Sequence, residues 1–322
     1  MEKNIALIGA GYWGQNHLRC LNSLGVLHTV VDSNSERINV IRKGYPHIHF
    51  TIQLNDVLEN KNIKSVVIAV PAISHYEITK KCLISGKDVL VEKPLALNTA
   101  QGEELVEIAQ NQGKILMVGH ILQYHPAVIR LKQLIDEGEL GDLRYIYSNR
   151  LNIGKLRIEE NVLWSFAPHD ISLILMLTGQ EPSHVHAHSG SFINKDIYDV
   201  TLTVLDFKNN LKGHIFVSWL HPFKEQKVVV VGSKKMAVFD DISKEKLFIY
   251  PHKINFDSNN IPIAEKADHY SIQIENKEPL KEEALHFIEC VEKRRIPKTD
   301  GNEGLRVLKI LEIAEKSLKI NR

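Results

Sequence analysis

From Asn4 to Val118 short runs dominated by Val and Ile alternate with helix-length segments whose apolar residues recur every three or four positions. Runs this apolar have both faces covered, which is the pattern of parallel strands joined by helical crossovers. The spacing predicts strands at Asn4–Ile8, Thr29–Asp32, His47–Phe50, Ser65–Val70, Asp88–Glu92 and Ile115–Val118. It predicts helices at Trp13–Leu24, Leu54–Glu59, His75–Ser85 and Thr99–Asn111, with Gly25, Gly86 and Gly113 at helix ends that need a positive φ.

After Gly119 the rhythm changes. A helix at Pro126–Glu137 leads into a strand at Arg144–Asn152, an irregular stretch, and a second helix that starts near His169 and ends at Leu177. From Ser183 to Tyr250 alternating β-rich runs (His184–His188, Val200–Phe207, Leu211–Trp219, Lys227–Val231, Met236–Asp240, Lys246–Tyr250) are separated by Asn-Asn, Gly and Lys-Lys turns, as in an open, mainly antiparallel sheet. Residues 251–280 are polar and read as an extended connection; Ala284, Phe287, Ile288 and Val291 then mark an amphipathic helix, followed by one over Glu303–Leu318.

The 322 residues, 43% hydrophobic and 25% charged, suit two globular domains, and a net charge of +1 gives no field to hold nucleic acid or an acidic membrane surface. Cys20, Cys82 and Cys290 are odd in number and far apart, which fits a reducing cytoplasm better than a disulfide framework or a zinc site. The first apolar run is too short for a signal-peptide core, and the expectation is a cytoplasmic protein.

The first strand ends in Gly9-Ala10-Gly11-Tyr12-Trp13-Gly14, a GxGxxG directly before a helix, and the second ends at Asp32. Gly9 allows the tight turn, Gly11 lets the backbone approach a pyrophosphate, Gly14 permits close helix packing, and the helix amides face the phosphates. Tyr12 and Trp13 complete the cofactor-contacting loop. Asp32 accepts from the adenosine ribose hydroxyls and repels a 2′-phosphate, so NAD is favoured over NADP, with Arg37 arguing the other way. The competing reading is a glycine-rich turn in another α/β protein. The fold class is therefore α/β: a Rossmann-type doubly wound parallel-sheet domain at 1–120 binds NAD. An α+β domain at 121–322 with an open, mainly antiparallel sheet binds substrate and forms oligomers, its last helices free to pack back on the first domain.

Val70-Pro71-Ala72 and Val91-Glu92-Lys93-Pro94 close the fourth and fifth strands at the carboxyl edge of the parallel sheet, where ligands of such sheets bind. A lysine there, desolvated and near a cationic nicotinamide, suits proton transfer; on spacing alone, a surface lysine before a turn proline is an equal reading. His184, His186 and His188 alternate along one strand face, but no carboxylate or cysteine completes a metal set and none is expected.

The chain resembles the Gfo/Idh/MocA sugar oxidoreductases in the GAGYWG loop, the acidic end of the second strand, Pro71 with His75, Glu92-Lys93-Pro94, Val118-Gly119-His120 leading to Pro126, and a histidine-bearing helix near 169. It is similar in detail to the members that oxidise C3 of UDP-N-acetylglucosamine or its uronic acid, through residues 119–126 (GHILQYHP), 147–152 (YSNRLN) and 163–172 (LWSFAPHDIS). The resemblance implies Lys93 as catalytic lysine, a Lys93-Pro94 peptide able to be cis, and His169 as acid/base. It implies cofactor contacts from Pro71, His75, Glu92, Lys93 and Gln123, and substrate contacts from Lys93, Tyr124, Tyr147, Asn149, Arg150, Arg157, Trp164, His169 and Asp170. Relatives such as the inositol dehydrogenases carry Asp-x-x-x-His where this chain has Ser172 and Met176, which concentrates proton chemistry on His169 and Lys93.

His169 also has a case of its own: imidazole titrates near neutrality, and the sequence places it at a helix start behind Pro168 and beside Asp170, which either orients the ring or caps the helix. Each substrate-side residue taken singly has a structural reading as well. The implied function is NAD-dependent oxidation of the C3 hydroxyl of a UDP-linked N-acetylhexosamine. An aminotransferase partner would then make a 3-amino sugar for a bacterial surface glycan or the lipid A of lipopolysaccharide. The alternatives are a UDP-GlcNAc-uronate 3-dehydrogenase using Arg150 or Arg157, a keto-sugar reductase, and a non-catalytic NAD-binding regulator. The wide apolar sheet face, with Trp219, marks a homo-oligomer, dimer or tetramer.

Overall fold

The computed structural model describes residues 3–154, 156–158 and 160–320. Residue-to-residue contacts divide the chain into two units, Met1–Ile121 with Glu278–Lys309, and Leu122–Lys277 with Ile310–Arg322. Residues 278–309 cluster with the first unit.

In the first unit β1 (Ile5–Ile8), β2 (Leu27–Val31), β3 (His49–Thr51), β4 (Ser65–Ile68), β5 (Asp88–Glu92) and β6 (Leu116–Gly119) form one sheet in the order β3-β2-β1-β4-β5-β6. Every neighbouring pair is parallel. β1 and β4 are buried along their whole length, which the unbroken apolar runs require. The crossovers carry α1 (Tyr12–Ser23), α2 (Ser35–Ile41), α3 (Asn55–Leu58), α4 (His75–Ile84) and α5 (Thr99–Asn111). Strand order reverses between β1 and β4, so the ends of β1, β4 and β5 border the crevice where a dinucleotide lies in this topology.

The unit is completed by α8 (Pro279–Lys293) and the first turns of α9 (Gly301–Ile320). Cys20 Sγ lies 3.8 Å from Leu280 O, Arg294 grips Asp88 with Nη1 2.9 Å from each oxygen, and Met117 forms a bridge with Asp300.

In the second unit α6 (Pro126–Asp136) precedes β7 (Leu143–Leu151) and α7 (Val162–Thr178); β8 (His184–Gly190), β9 (Val200–Asp206), β10 (Lys212–Ser218), β11 (Glu225–Gly232), β12 (Met236–Asp240) and β13 (Leu247–Tyr250) follow. With β16 (Tyr270–Ser271) they make an eight-stranded sheet, β16-β13-β12-β11-β7-β10-β9-β8, antiparallel except at β10–β7. α7 packs on β7, β9 and β10, and α6 on β12, covering one face. No helix among the described residues is long and apolar enough to cross a membrane.

Two expectations change. The stretch read as an extended connection contains a hairpin, β14 (Lys253–Phe256) with β15 (Pro262–Glu265), and β16 pairs with β13. The second helix begins at Val162, not near His169: the Asn161 side chain accepts from Trp164 N at 3.3 Å as its cap, and Pro168 lies inside the helix. A proline in a helix interior normally removes a hydrogen bond and opens the turn. Here the helix buries nearly every side chain from Val162 to Leu177, and that packing outweighs the local preference for a break.

Candidate active site

The dinucleotide loop is built by exclusion. Gly9 has φ +96°, and a Cβ there would come within 2.5 Å of Ala69 O; a Cβ on Gly14 would come within 2.1 Å of Gly9 O. Only glycine fits at either position. At Gly11 a Cβ would meet nothing within 4 Å, so this side of the loop is open to an approaching group. Gly11 is also the N-cap of α1 and makes no side-chain cap bond, which leaves the first-turn amides to an anion. Tyr12 is 91% exposed beside it. This cradle fits a pyrophosphate.

Asp32 accepts from Ala10 N at 2.7 Å and Asn34 N at 2.8 Å, and both its oxygens lie 2.9 Å from Arg37 Nη1. Burial alone would raise its pKa, but the two amides and the guanidinium outweigh that and hold the carboxylate below its ordinary range. An ionised acid at this position suits the ribose of NAD.

At the end of β5, Glu92 gathers two side chains of α1 and the Lys93 amide. It accepts from Trp13 Nε1 at 2.5 Å, His17 Nε2 at 2.7 Å and Lys93 N at 3.3 Å. Burial works against ionisation, but His17, Trp13 and the Lys93 charge keep Glu92 below the usual range. Gly119 of β6 belongs to the same arrangement, because a Cβ there would come within 3.0 Å of Glu92 Oε2. Lys93 is half-buried, and the Lys93-Pro94 peptide is cis. His75 holds this turn to the next: Nδ1 lies 2.7 Å from Pro94 O and Nε2 2.9 Å from Val70 O. Pro71, at the end of β4, opens the turn that leads into α4. His75 is 1% exposed and lies between these two turns. Burial lowers its pKa in spite of the two carbonyls.

The substrate-side candidates group differently. His169 lies two turns inside α7, so the expected helix-start position and the capping role for Asp170 both fail. Among the side chains from Val162 to Leu177 only Phe166, His169 and Met176 are partly open, and they share one stripe of the helix. Asp170 points the other way. It is 0% exposed, accepts from Ser148 Oγ at 2.5 Å, and takes Arg150 Nε at 2.8 Å and Nη2 at 3.2 Å. Ser148 and Arg150 therefore define the helix-facing side of β7.

Alternation then sends Tyr147 and Asn149 to the opposite face of the sheet. There Tyr147 stacks on His214 with ring centroids 5.0 Å apart and planes 6° apart, and Asn149 Nδ2 donates to Glu225 Oε1 at 2.6 Å. The sheet thus separates these two from His169 within the unit. Tyr124, Gln123 and Trp164 are 2%, 3% and 6% exposed, and Gln123 Nε2 donates to Ser172 Oγ at 2.8 Å. Arg157 pairs with Glu160 at 2.8 Å. His184, His186 and His188 are exposed on one strand face, with the rings of His186 and His188 4.7 Å apart.

The sequence reading missed His17, which follows Gly14 by one turn of α1 and was visible only as a polar residue on the helix's buried side, and Glu283, which breaks the apolar stripe of α8. Gly119, read only as part of the family motif, shows its purpose once Glu92 is placed.

Residues 3–120 match the oxidoreductase family with an NAD-binding Rossmann fold, and residues 128–238 match the GFO/IDH/MocA C-terminal domain. The chain is 25% identical over 315 residues to the UDP-N-acetylglucosamine 3-dehydrogenase of Acidithiobacillus ferrooxidans, covering 94% of this chain and 93% of that one. A crystal structure of that enzyme superposes with a TM-score of 0.86, covering 98% and 97% of the two chains. The myo-inositol 2-dehydrogenase of Thermotoga maritima is 22% identical over 337 residues, 99% of this chain and 97% of that one. An enzyme of gentamicin A biosynthesis solved in complex with NAD shares the fold at 21% identity and a TM-score of 0.84, covering all of this chain and 96% of the other. The glycine cradle, the ionised Asp32 and these matches to both domains place the chain in the Gfo/Idh/MocA family of NAD-binding oxidoreductases.

Proposed function

We propose that the chain oxidises the C3 hydroxyl of UDP-N-acetylglucosamine to the 3-keto sugar, with NAD as hydride acceptor. The end-to-end similarity to a UDP-N-acetylglucosamine 3-dehydrogenase supports the substrate class. One observation favours the neutral sugar over its uronic acid. Arg150 and Arg157, the cations available for a sugar carboxylate, already face Asp170 and Glu160. A second carboxylate would have to share a cation that is already compensated.

In this reading bound NAD supplies the two-electron acceptor. The His169 imidazole takes the hydroxyl proton, and the Lys93 ammonium holds the oxygen as it becomes a carbonyl. Glu92 and His75 hold the backbone on either side of Lys93. Ser172 and Met176 stand in place of the relatives' second acid/base pair, which leaves His169 as the proton acceptor on the open stripe of α7. The uncovered face of the eight-stranded sheet, with Val229, Val231, Val238 and Tyr250 half-exposed, is assigned to a homo-oligomer. The 3-keto product calls for an aminotransferase as the consuming step.

The test is NADH formation from UDP-GlcNAc, UDP-GlcNAc-uronate and UDP-glucose, with the oxidised carbon located by NMR. The reading expects the first to be preferred and the ketone at C3. Turnover of the uronate alone, or of none of the three, would overturn it.

A further inference from the structure

His120, the residue after β6, and Glu303, in the first turn of α9, are 1% and 3% exposed, and His120 Nδ1 donates to Glu303 Oε2. Replacing both members of such a buried pair by apolar side chains commonly costs no stability, so holding the chain folded does not explain its presence. What a hydrogen-bonded pair adds is direction, because it fixes the imidazole in one orientation where apolar groups would slide past each other.

The helix that carries Glu303 is pressed against β6. A Cβ on Gly301 would come within 2.8 Å of Leu116 Cδ2, and one on Gly304 within 2.6 Å of Val118 Cγ2, so only glycine lets α9 lie this close. The segment before the helix runs along the outer edge of β6, where Thr299 O accepts from Val118 N at 2.8 Å and Asp300 bridges Met117. Asp300 Oδ1 in turn accepts from Glu303 N at 2.8 Å. The carboxylate that meets His120 therefore stands on a fixed base.

On its inner side β6 pairs with β5, and the last partners of the ladder are Glu92 and Gly119. His120 thus adjoins the residue on which Glu92 rests. A Cβ on Gly119 would come within 3.0 Å of Glu92 Oε2, 3.1 Å of Cδ and 3.2 Å of Oε1, so the whole carboxylate lies against the Gly119 backbone. Oε1 is held by Trp13 and His17 of α1, while Oε2, the oxygen nearer Gly119, accepts from Lys93 N at 3.3 Å. An unbroken run of contacts leads from α9 to Lys93 through Glu303, His120, Gly119 and Glu92. We propose that Glu303 is a positioning residue for Lys93: by fixing His120 it holds Gly119 as the wall behind Glu92, and Glu92 sets the backbone from which the Lys93 amine extends. The inference rests on the reading of Lys93 as the group that holds the substrate oxygen.

Two measurements test it. The first needs no substrate: backbone hydrogen exchange of the ligand-free full chain, read at the Lys93 amide by mass spectrometry. In Glu303→Met/His120→Phe, which keeps much of the pair's volume and removes its hydrogen bond, that amide should exchange about tenfold faster while the amides of β1 and β4 keep their rates. Glu303→Gln, which can still accept from Nδ1, should leave it at the wild-type rate. The second measurement is turnover of UDP-GlcNAc. The double replacement should lower kcat by about 10–100-fold with the Kd for NAD⁺ unchanged, and Glu303→Gln should retain the wild-type kcat. In a Lys93→Met background the double replacement should cost no more than about twofold further, because its effect passes through Lys93. Should the double variant not fold, Glu303→Met is read in its place, since it leaves no buried carboxylate unpaired. An unchanged Lys93 amide, an equal loss in Glu303→Gln, or a loss that adds in full to that of Lys93→Met overturns the proposal. If Lys93→Met itself costs nothing, it is the role of Lys93 that fails, and the exchange rates still decide whether Glu303 holds it in place.

Discussion

Replacing Asp170 by Asn should destabilise the second unit by about 3–5 kcal/mol, the cost of removing one partner from a buried ion pair. The side chains of Asp170 and Arg150 are 1% and 11% exposed, so solvent does little to soften the loss. Asn keeps the shape and can still accept from Ser148 Oγ, yet it leaves the Arg150 guanidinium, 2.8 Å away, without a counter-charge. That free energy is a factor of hundreds or more in the folding equilibrium. Urea unfolding followed by tryptophan fluorescence in a Trp13→Phe background isolates the effect, because the remaining Trp164 and Trp219 are 6% and 1% exposed and both belong to the second unit. Arg150→Met alone should cost a similar amount, and the double variant Asp170→Asn/Arg150→Met should recover most of the loss, since an apolar replacement of both partners is commonly neutral. A cost below about 1 kcal/mol for Asp170→Asn, or strict additivity in the double variant, would refute the assignment of Asp170 as the counter-ion that positions α7 on β7.

Lys93→Met should lower kcat by about 10²–10⁴-fold while the Kd for NAD⁺ changes little, measured by NADH absorbance and by calorimetry; equal losses in both would mean that Lys93 serves binding alone. Asp32→Ala frees the Arg37 guanidinium and removes the charge that repels a 2′-phosphate, so the ratio of kcat/KM for NADP⁺ to that for NAD⁺ should rise by about tenfold or more, one good charged contact; an unchanged ratio counts against the ribose assignment. Gly119→Ala drives a methyl to within 3.0 Å of Glu92 Oε2 and should weaken NAD⁺ binding and slow turnover together, with both values unchanged as the contrary result. Glu283 is raised above its ordinary 4.5 in the folded state, so the folded chain keeps a proton that the unfolded chain loses above that pH. Stability should therefore fall as pH rises above about 4.5 towards the folded value, and the Tm advantage of Glu283→Gln over the wild type should grow with pH over that range; a constant difference would refute it.

The parallel half of the fold was legible because its strands are continuous apolar runs and its first loop carries the glycines at the required intervals. α2 escaped that reading although its signal was present: Asn34 caps it by accepting from Arg37 N at 2.8 Å. α7 was misplaced because Pro168 was read as a helix start, while the actual cap, Asn161, lies seven residues earlier in a helix too uniformly apolar to show a face. The β14–β15 hairpin was hidden by the exposure of all its residues, which leaves no alternation of buried and open positions to read.

In the candidate site, the strand-end residues could be named from topology, but their partners could not. Tyr147 and Asn149 were grouped with Arg150 by nearness in sequence, and the period of two in β7 separates them. Glu283 could have been noticed as a carboxylate in an apolar stripe. Its burial depends on α8 returning, late in the chain, to the first unit.

The most direct test of the central claim follows the hydride itself. UDP-GlcNAc carrying deuterium at C3 is incubated with NAD⁺ and the protein, and the reduced cofactor is weighed by mass spectrometry. Deuterium in the NADH from the C3-labelled sugar, and none from sugars labelled at C2 or C4, is the predicted result; NADH that forms without the C3 label, or no NADH from any of them, would contradict it.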